Sequence, residues 1–238
     1  MADMEQALKS AGIVLTSDAV GRLSLYHDLL LDWNTRMDLT SVSQQDMARR
    51  HFVDSLLPLS QTAFFPSGVR LIDVGTGAGF PGLVLAAARE DISVTLLEAQ
   101  GKRCQFLRAV IDALQLKNAL VIQERAEVLG HSEEHREAYD LATARAVAPL
   151  NVLCEYLLPF VKIGGHALCW KGPAAAEELP DGAFAAEALG GRLEETKEMF
   201  EGENRHVLAP VLKMEKTLPQ YPRKNGIPVK RPLRLGKK

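Results

Sequence analysis

A chain of 238 residues, 47% apolar and 24% charged, is long enough for one sizeable core and too apolar for wholesale disorder. No apolar run approaches a bilayer span, no signal-peptide pattern opens the chain, and Cys104, Cys154 and Cys169 form no CxxC pair, so a membrane helix, a disulfide framework and a zinc ribbon are excluded and a cytoplasmic setting is expected. The net charge of −2 hides eight Lys/Arg and no acid in residues 216–238, against 20 basic and 30 acidic groups before them, a balance that suits either polyanion docking or a solubilising tail.

Residues 1–65 read as a helical extension. Leu23, Tyr26, Leu30, Trp33 and Met37 recur at helical spacing, with Thr16 or Ser17 as the cap, and Ser43 with Asp46 marks a second start running into His51–Leu57. The segment Phe65–Gly68 is a turn, and residues 66–215 follow as a second unit. There the pattern alternates: strands at Val69–Val74, Ile92–Leu97, Ala119–Gln123, Asp140–Ala144 and His166–Trp170, and helices near Leu83–Arg89, Lys102–Leu116 and Pro149–Val161. Asn118 fits the end of the second of these helices. Strands alternating with helices predict an α/β fold, a doubly wound and mostly parallel sheet. Arg192–Phe200 and Arg205–Lys213 add a final antiparallel pair turning near Gly202, for seven strands in all. Residues 216–238 form a basic tail.

The sharpest signal is the loop Asp73-Val-Gly-Thr-Gly-Ala-Gly-Phe-Pro-Gly82, in which a strand ends on an acid and four glycines follow. Gly77-x-Gly79-x-x-Gly82 formally matches a dinucleotide fingerprint, with Glu98 in the ribose position. A carboxylate at the loop mouth repels a pyrophosphate and favours an ammonium or sulfonium. S-adenosylmethionine (SAM) carries both, so Asp73, Gly77 and Glu98 point to SAM ahead of NAD. His131 and His135 stand at i, i+4 without the HExxH order, and no metal site is expected.

Taken with Trp33-Asn34, Asp38-Leu-Thr40, Arg50-His-Phe-Val-Asp-Ser-Leu56, Gly101-Lys-Arg103, Arg145-Ala-Val-Ala-Pro-Leu150 and Lys171-Gly172, the chain resembles the small-subunit ribosomal RNA guanine-N7 methyltransferase family, long called glucose-inhibited division protein B. The resemblance spans nearly the whole chain. It implies a Rossmann-like methyltransferase sheet and methyl transfer from SAM to N7 of a guanine in the decoding-region loop of 16S ribosomal RNA. Carried over by position, SAM contacts fall on Gly75, Phe80, Ala126, Glu127 and Arg145. Glu98 stands where many members have Asp. Glu127 reads equally as a first-turn helix acid, and Arg145 as a partner of carboxylates or of RNA phosphate.

Guanine N7 offers a free lone pair, so no general base is required and no catalytic residue is assigned. Asn34, His51 and Lys171 are candidates for positioning guanine or phosphate. Each also has a plain reading, as a helix end, a packed residue and a solvated strand end respectively. Arg223, Lys224, Lys230 and Arg231 in the tail are the expected phosphate contacts. The expected partner is 16S ribosomal RNA within the 30S subunit or its precursor, approached by a monomer. A nicotinamide-linked oxidoreductase and a silent RNA-binding factor remain the alternatives.

Overall fold

In the computed structural model, which describes residues 2–145, 148–172, 175–201 and 204–236, the chain starts with α1 (Ala2–Ser10), whose Met4, Ala7 and Leu8 are buried. The Thr16 hydroxyl accepts a bond from the Ala19 amide at 3.3 Å and caps α2 (Ser17–Asn34). Ser43 likewise accepts from the Asp46 amide to start α3 (Gln44–Met47), which passes through a wider π-helical stretch, Ala48–Val53, into α4 (Asp54–Leu56).

The alternating half follows as β1 (Arg70–Val74), α5 (Gly82–Ala88), β2 (Ser93–Glu98), α6 (Gly101–Leu114), β3 (Ala119–Gln123), α7 (Ala126–Leu129), β4 (Tyr139–Arg145), α8 (Leu150–Leu157) and β5 (Val161–Lys171). Next come α9 (Ala175–Ala188), β6 (Gly191–Leu193), β7 (Lys197–Glu201), β8 (Asn204–Lys213) and a short α10 (Ile227–Lys230). One sheet runs in the order β3-β2-β1-β4-β5-β8-β6, parallel from β3 to β5. β8 pairs antiparallel with β5 on one edge and with β6 and β7 on the other. This is the expected doubly wound architecture.

Period-two alternation sorts the core. Leu71, Leu141 and Leu168 face a cluster shared with α1, α2, α5 and α6, whereas Ile72, Val74, Ala142 and Cys169 face one shared with α8 and α9. Leu23, Tyr26 and Leu30 of α2 therefore sit in the same core as Leu83 of α5 and Phe106 of α6.

Two expectations change. The last pair has an extra break, because Pro210 of β8 accepts from the Glu194 amide but has no N–H to return, and the edge divides there into β6 and β7. Gly202 lies outside the described residues. Asn118 does not cap α6, which closes on Gln115 at φ +54°; its side-chain amide donates to the carbonyls of Ala86, Arg89 and Ile92. Residues 175–188, to which the sequence pattern assigns no element, form α9, with Glu177 and Glu178 in its first turn and Pro180 inside it. No helix among the described residues is long and apolar enough to cross a membrane.

Candidate functional site

Strand order runs outward in opposite directions from β1 and β4, so the loops leaving their carboxyl ends diverge and open a crevice. A cavity of about 580 Å³ lies there. Gly75, Gly77 and Phe80 line it from the loop after β1, Glu98 from the end of β2, Ala126 and Glu127 from the start of α7, and Arg145 from the end of β4.

Asp73 is the one expected cofactor contact missing from that lining. It shares a sheet face with Leu71, so its side chain points under α5 and not out of the strand's end. Fully buried, its carboxylate accepts from the Gly82 amide at 2.9 Å and from the Thr143 hydroxyl at 2.8 Å. Burial pushes its pKa up, against those hydrogen bonds and the charge of Arg145. Gly82 is dictated by this approach, since a Cβ there would lie 2.6 Å from that of Asp73. Gly77, at φ +62°, answers to the open side instead: a Cβ there would meet nothing nearer than the Gly75 carbonyl at 4.0 Å.

Glu98 is buried and anchored at both oxygens, by the Gly77 amide at 3.0 Å and the Gln100 amide at 2.8 Å, each leaving lone pairs toward the cavity. Across from it, Oε1 of Glu127 accepts from the Gly226 amide at 3.0 Å and the Tyr156 hydroxyl at 3.5 Å. Burial, reinforced by Glu127, pushes the Tyr156 phenol up to about 12.

The inner wall is a charged web under an aromatic stack. Arg145 donates to Asp54 at 2.7 Å and to Nδ1 of His51 at 3.0 Å, and its guanidinium lies 5.0 Å from the Phe80 ring centre. Asp54 is buried; it also takes a bond from Nδ1 of His206 and, on its carbonyl, one from Trp170 at 3.3 Å. A guanidinium only donates, so Nδ1 of His51 is unprotonated and Nε2 donates to the Thr40 hydroxyl at 2.6 Å. Burial and the nearby Arg145 lower the His51 pKa to about 3, whereas the bond to Asp54 raises that of His206. Phe80 is stacked by His51 at 4.4 Å and by Tyr26 at 5.7 Å, so its ring belongs to the wall.

Of the expected RNA contacts, only His51 lines the cavity. Asn34 organises a loop, accepting from the amides of Leu39 and Thr40 and donating to the Thr40 carbonyl. Lys171 is held by the Ala148 carbonyl at 2.9 Å and by Glu178 at 2.7 Å. Arg223 is the clearest correction: its guanidinium grips Glu155, whose side chain is 1% exposed, at 2.9 and 2.6 Å, because the tail folds back over α8 and does not run free. Lys224, Lys230 and Arg231 remain exposed. His131 bonds the Pro222 carbonyl and His135 the Tyr139 hydroxyl, so the two histidines serve different partners. Asp54 lies inside the Arg50–Leu56 motif but is not singled out by it, and Tyr156 and Val229 meet the site only through tertiary contacts.

A family model described as rRNA small subunit methyltransferase G matches residues 20–208. Curated relatives named Ribosomal RNA small subunit methyltransferase G include one from Symbiobacterium thermophilum, 44% identical over 97% of this chain and 96% of that one. Another, from Leuconostoc mesenteroides, is 43% identical over 97% of this chain and 98% of its own length. Among solved structures, MtNAS in complex with MTA and tNA superposes with a TM-score of 0.55 at 16% identity, covering 82% of this chain and 72% of that one. M. jannaschii TYW2 in complex with AdoMet gives 0.52 at 17%, covering 74% and 79%, a likeness of fold.

Proposed function

The chain belongs to the rRNA small subunit methyltransferase G family, and from that premise we propose that it methylates N7 of one guanine in the decoding-region loop of 16S ribosomal RNA. The activity class is that of the family: a SAM-dependent methyltransferase acting on small-subunit rRNA. The N7 position follows from the family, and the observation that supports a SAM-dependent reaction in this chain is the convergence of Gly77, Glu98, Glu127 and Arg145 on one cavity at the strand-order reversal.

The residues present fit SAM. Bare backbone at Gly77 leaves room for close approach beside Gly75, which also lines the cavity, and the spare lone pairs of Glu98 suit ribose hydroxyls. Ala126 and Glu127 are positioned for the adenine edge, and two acidic walls complement a cation. When bound, SAM supplies an electrophilic methyl group on a sulfonium. The protein's task is then to exclude water and align the acceptor nitrogen, with no proton to remove. His51 fits that economy, both of its nitrogens being engaged in fixing Arg145 and Thr40. Arg145, fixed by Asp54, is poised for a phosphate or carboxylate.

The reading extends to a monomeric cytoplasmic enzyme whose substrate is the RNA within the 30S subunit or its precursor, with Lys224, Lys230 and Arg231 on phosphates. It is tested by methyl transfer from labelled SAM to free 16S RNA and to 30S particles, followed by mapping of the modified base. Label at an exocyclic amine or a ribose would overturn it.

A further inference from the structure

We infer that the segment 223–229 is a wall of the cofactor site, with Val229 as its ligand-facing side chain and Gly226 as the residue that sets Glu127. The inference rests on the reading of the cavity as the SAM site. Four features support it.

Val229 lines the cavity, yet 58% of its surface is exposed, an apolar side chain spent on an open face in a short helix. The Gly226 amide, delivered from a backbone at φ +76°, donates to Oε1 of Glu127 and so leaves Oε2 as the oxygen free to address a ligand. Between them the segment is nailed down. The Arg223 amide and guanidinium together place four bonds on Glu155, at 2.8, 2.9, 3.2 and 2.6 Å. Upstream, Arg136 donates to the carbonyls of Tyr221 and Thr217, and a Cβ on Gly130 would strike Pro222 at 2.8 Å, so the strap lies flush on the body.

A strap fixed this firmly, with its one apolar side chain at the cavity rim beside Glu127, matches a flat heteroaromatic ligand with polar edges. Glu127 meets the edge of the purine, and Val229 covers part of its face. Lys224 in the strap and Lys230 just beyond it are also exposed.

The test is calorimetric titration of the full chain with SAM. Val229→Asn lies on an exposed position and leaves the melting temperature unchanged; SAM affinity falls about five- to tenfold, the scale of uncovering one aliphatic side chain. Val229→Ile restores it. Gly226→Ala has open space for its methyl group but forces a left-handed backbone on alanine, displacing the amide from Glu127. It weakens SAM binding as well. Unchanged SAM affinity in both Val229→Asn and Gly226→Ala, with wild type binding normally, overturns the wall. Failure of the wild-type protein to bind SAM at all overturns the underlying reading of the cavity.

Discussion

His51 and His206 sit on one charged web and titrate in opposite senses. For His51 the folded pKa of about 3 lies below its unfolded value near 6.5, so between those pH values the unfolded chain binds more protons. Stability therefore falls as pH drops through that window, by up to about 1.4 kcal/mol per unit. Urea midpoints at pH 4 to 7 should show a flatter acid limb in His51→Gln. For His206 the folded pKa is raised by Asp54, so its contribution is fully present below about pH 6.5 and fades as pH climbs through the folded value. If guanine N7 is the acceptor, neither histidine is needed as a base, and single-turnover methyl transfer should be nearly flat over pH 6–9; a log-linear rise would point to an acceptor other than a guanine N7. The two carboxylates near the glycine loop divide the same way. Asp73→Ala strands the Gly82 amide and the Thr143 hydroxyl and should cost about 1–3 kcal/mol of stability for each, read as a lower urea midpoint. Glu98→Ala should spare more of the fold and lose roughly 1–3 kcal/mol of SAM binding. Equal SAM affinity in Glu98→Ala and wild type would place the ribose elsewhere.

At the scale of elements, the tail is two things at once. Replacing Lys224, Lys230 and Arg231 together by Gln should leave SAM binding and melting temperature alone, weaken RNA binding, and flatten the slope of log affinity against log salt by roughly 0.7–0.9 for each phosphate no longer neutralised. Arg223→Gln should behave differently, leaving Glu155 charged and buried at a cost of about 3 kcal/mol or more, visible as a lower melting temperature without any RNA present. Sequence made the parallel strands legible because their residues alternate or run apolar between glycines, and it made α2 legible through its stripe at Leu23, Tyr26 and Leu30. It located the loop at Gly75–Gly82 for the same reason: a strand end, an acid and glycines are local features. It did not show the partners of Asp73, because the face a side chain takes depends on what packs over it, or of Arg223, because Glu155 lies far away in the chain. The break between β6 and β7 was hidden too, since Pro210 acts across the ladder and not along it.

Over the whole molecule, the helices of residues 1–65 bury Leu23, Tyr26 and Phe52 in the core that also holds Leu83 and Phe106, while the other face of the same sheet packs on α8 and α9. Both cores lean on the same strands, so unfolding should be a single cooperative transition. Trp33, against Phe106, and Trp170, in β5, offer probes in separate places, and fluorescence and far-ultraviolet dichroism should give coincident curves. Distinct midpoints would separate the helical extension as its own unit. The strap over Glu127 carries a further meaning in time. A polypeptide emerging during translation presents the glycine loop, Glu98, Glu127 and Arg145 long before β8 inserts beside β5 and before Gly226 and Val229 exist to close the rim. The rim of the cavity is thereby the last part of it to be synthesised, and its closure waits until almost all of the rest of the fold has been made.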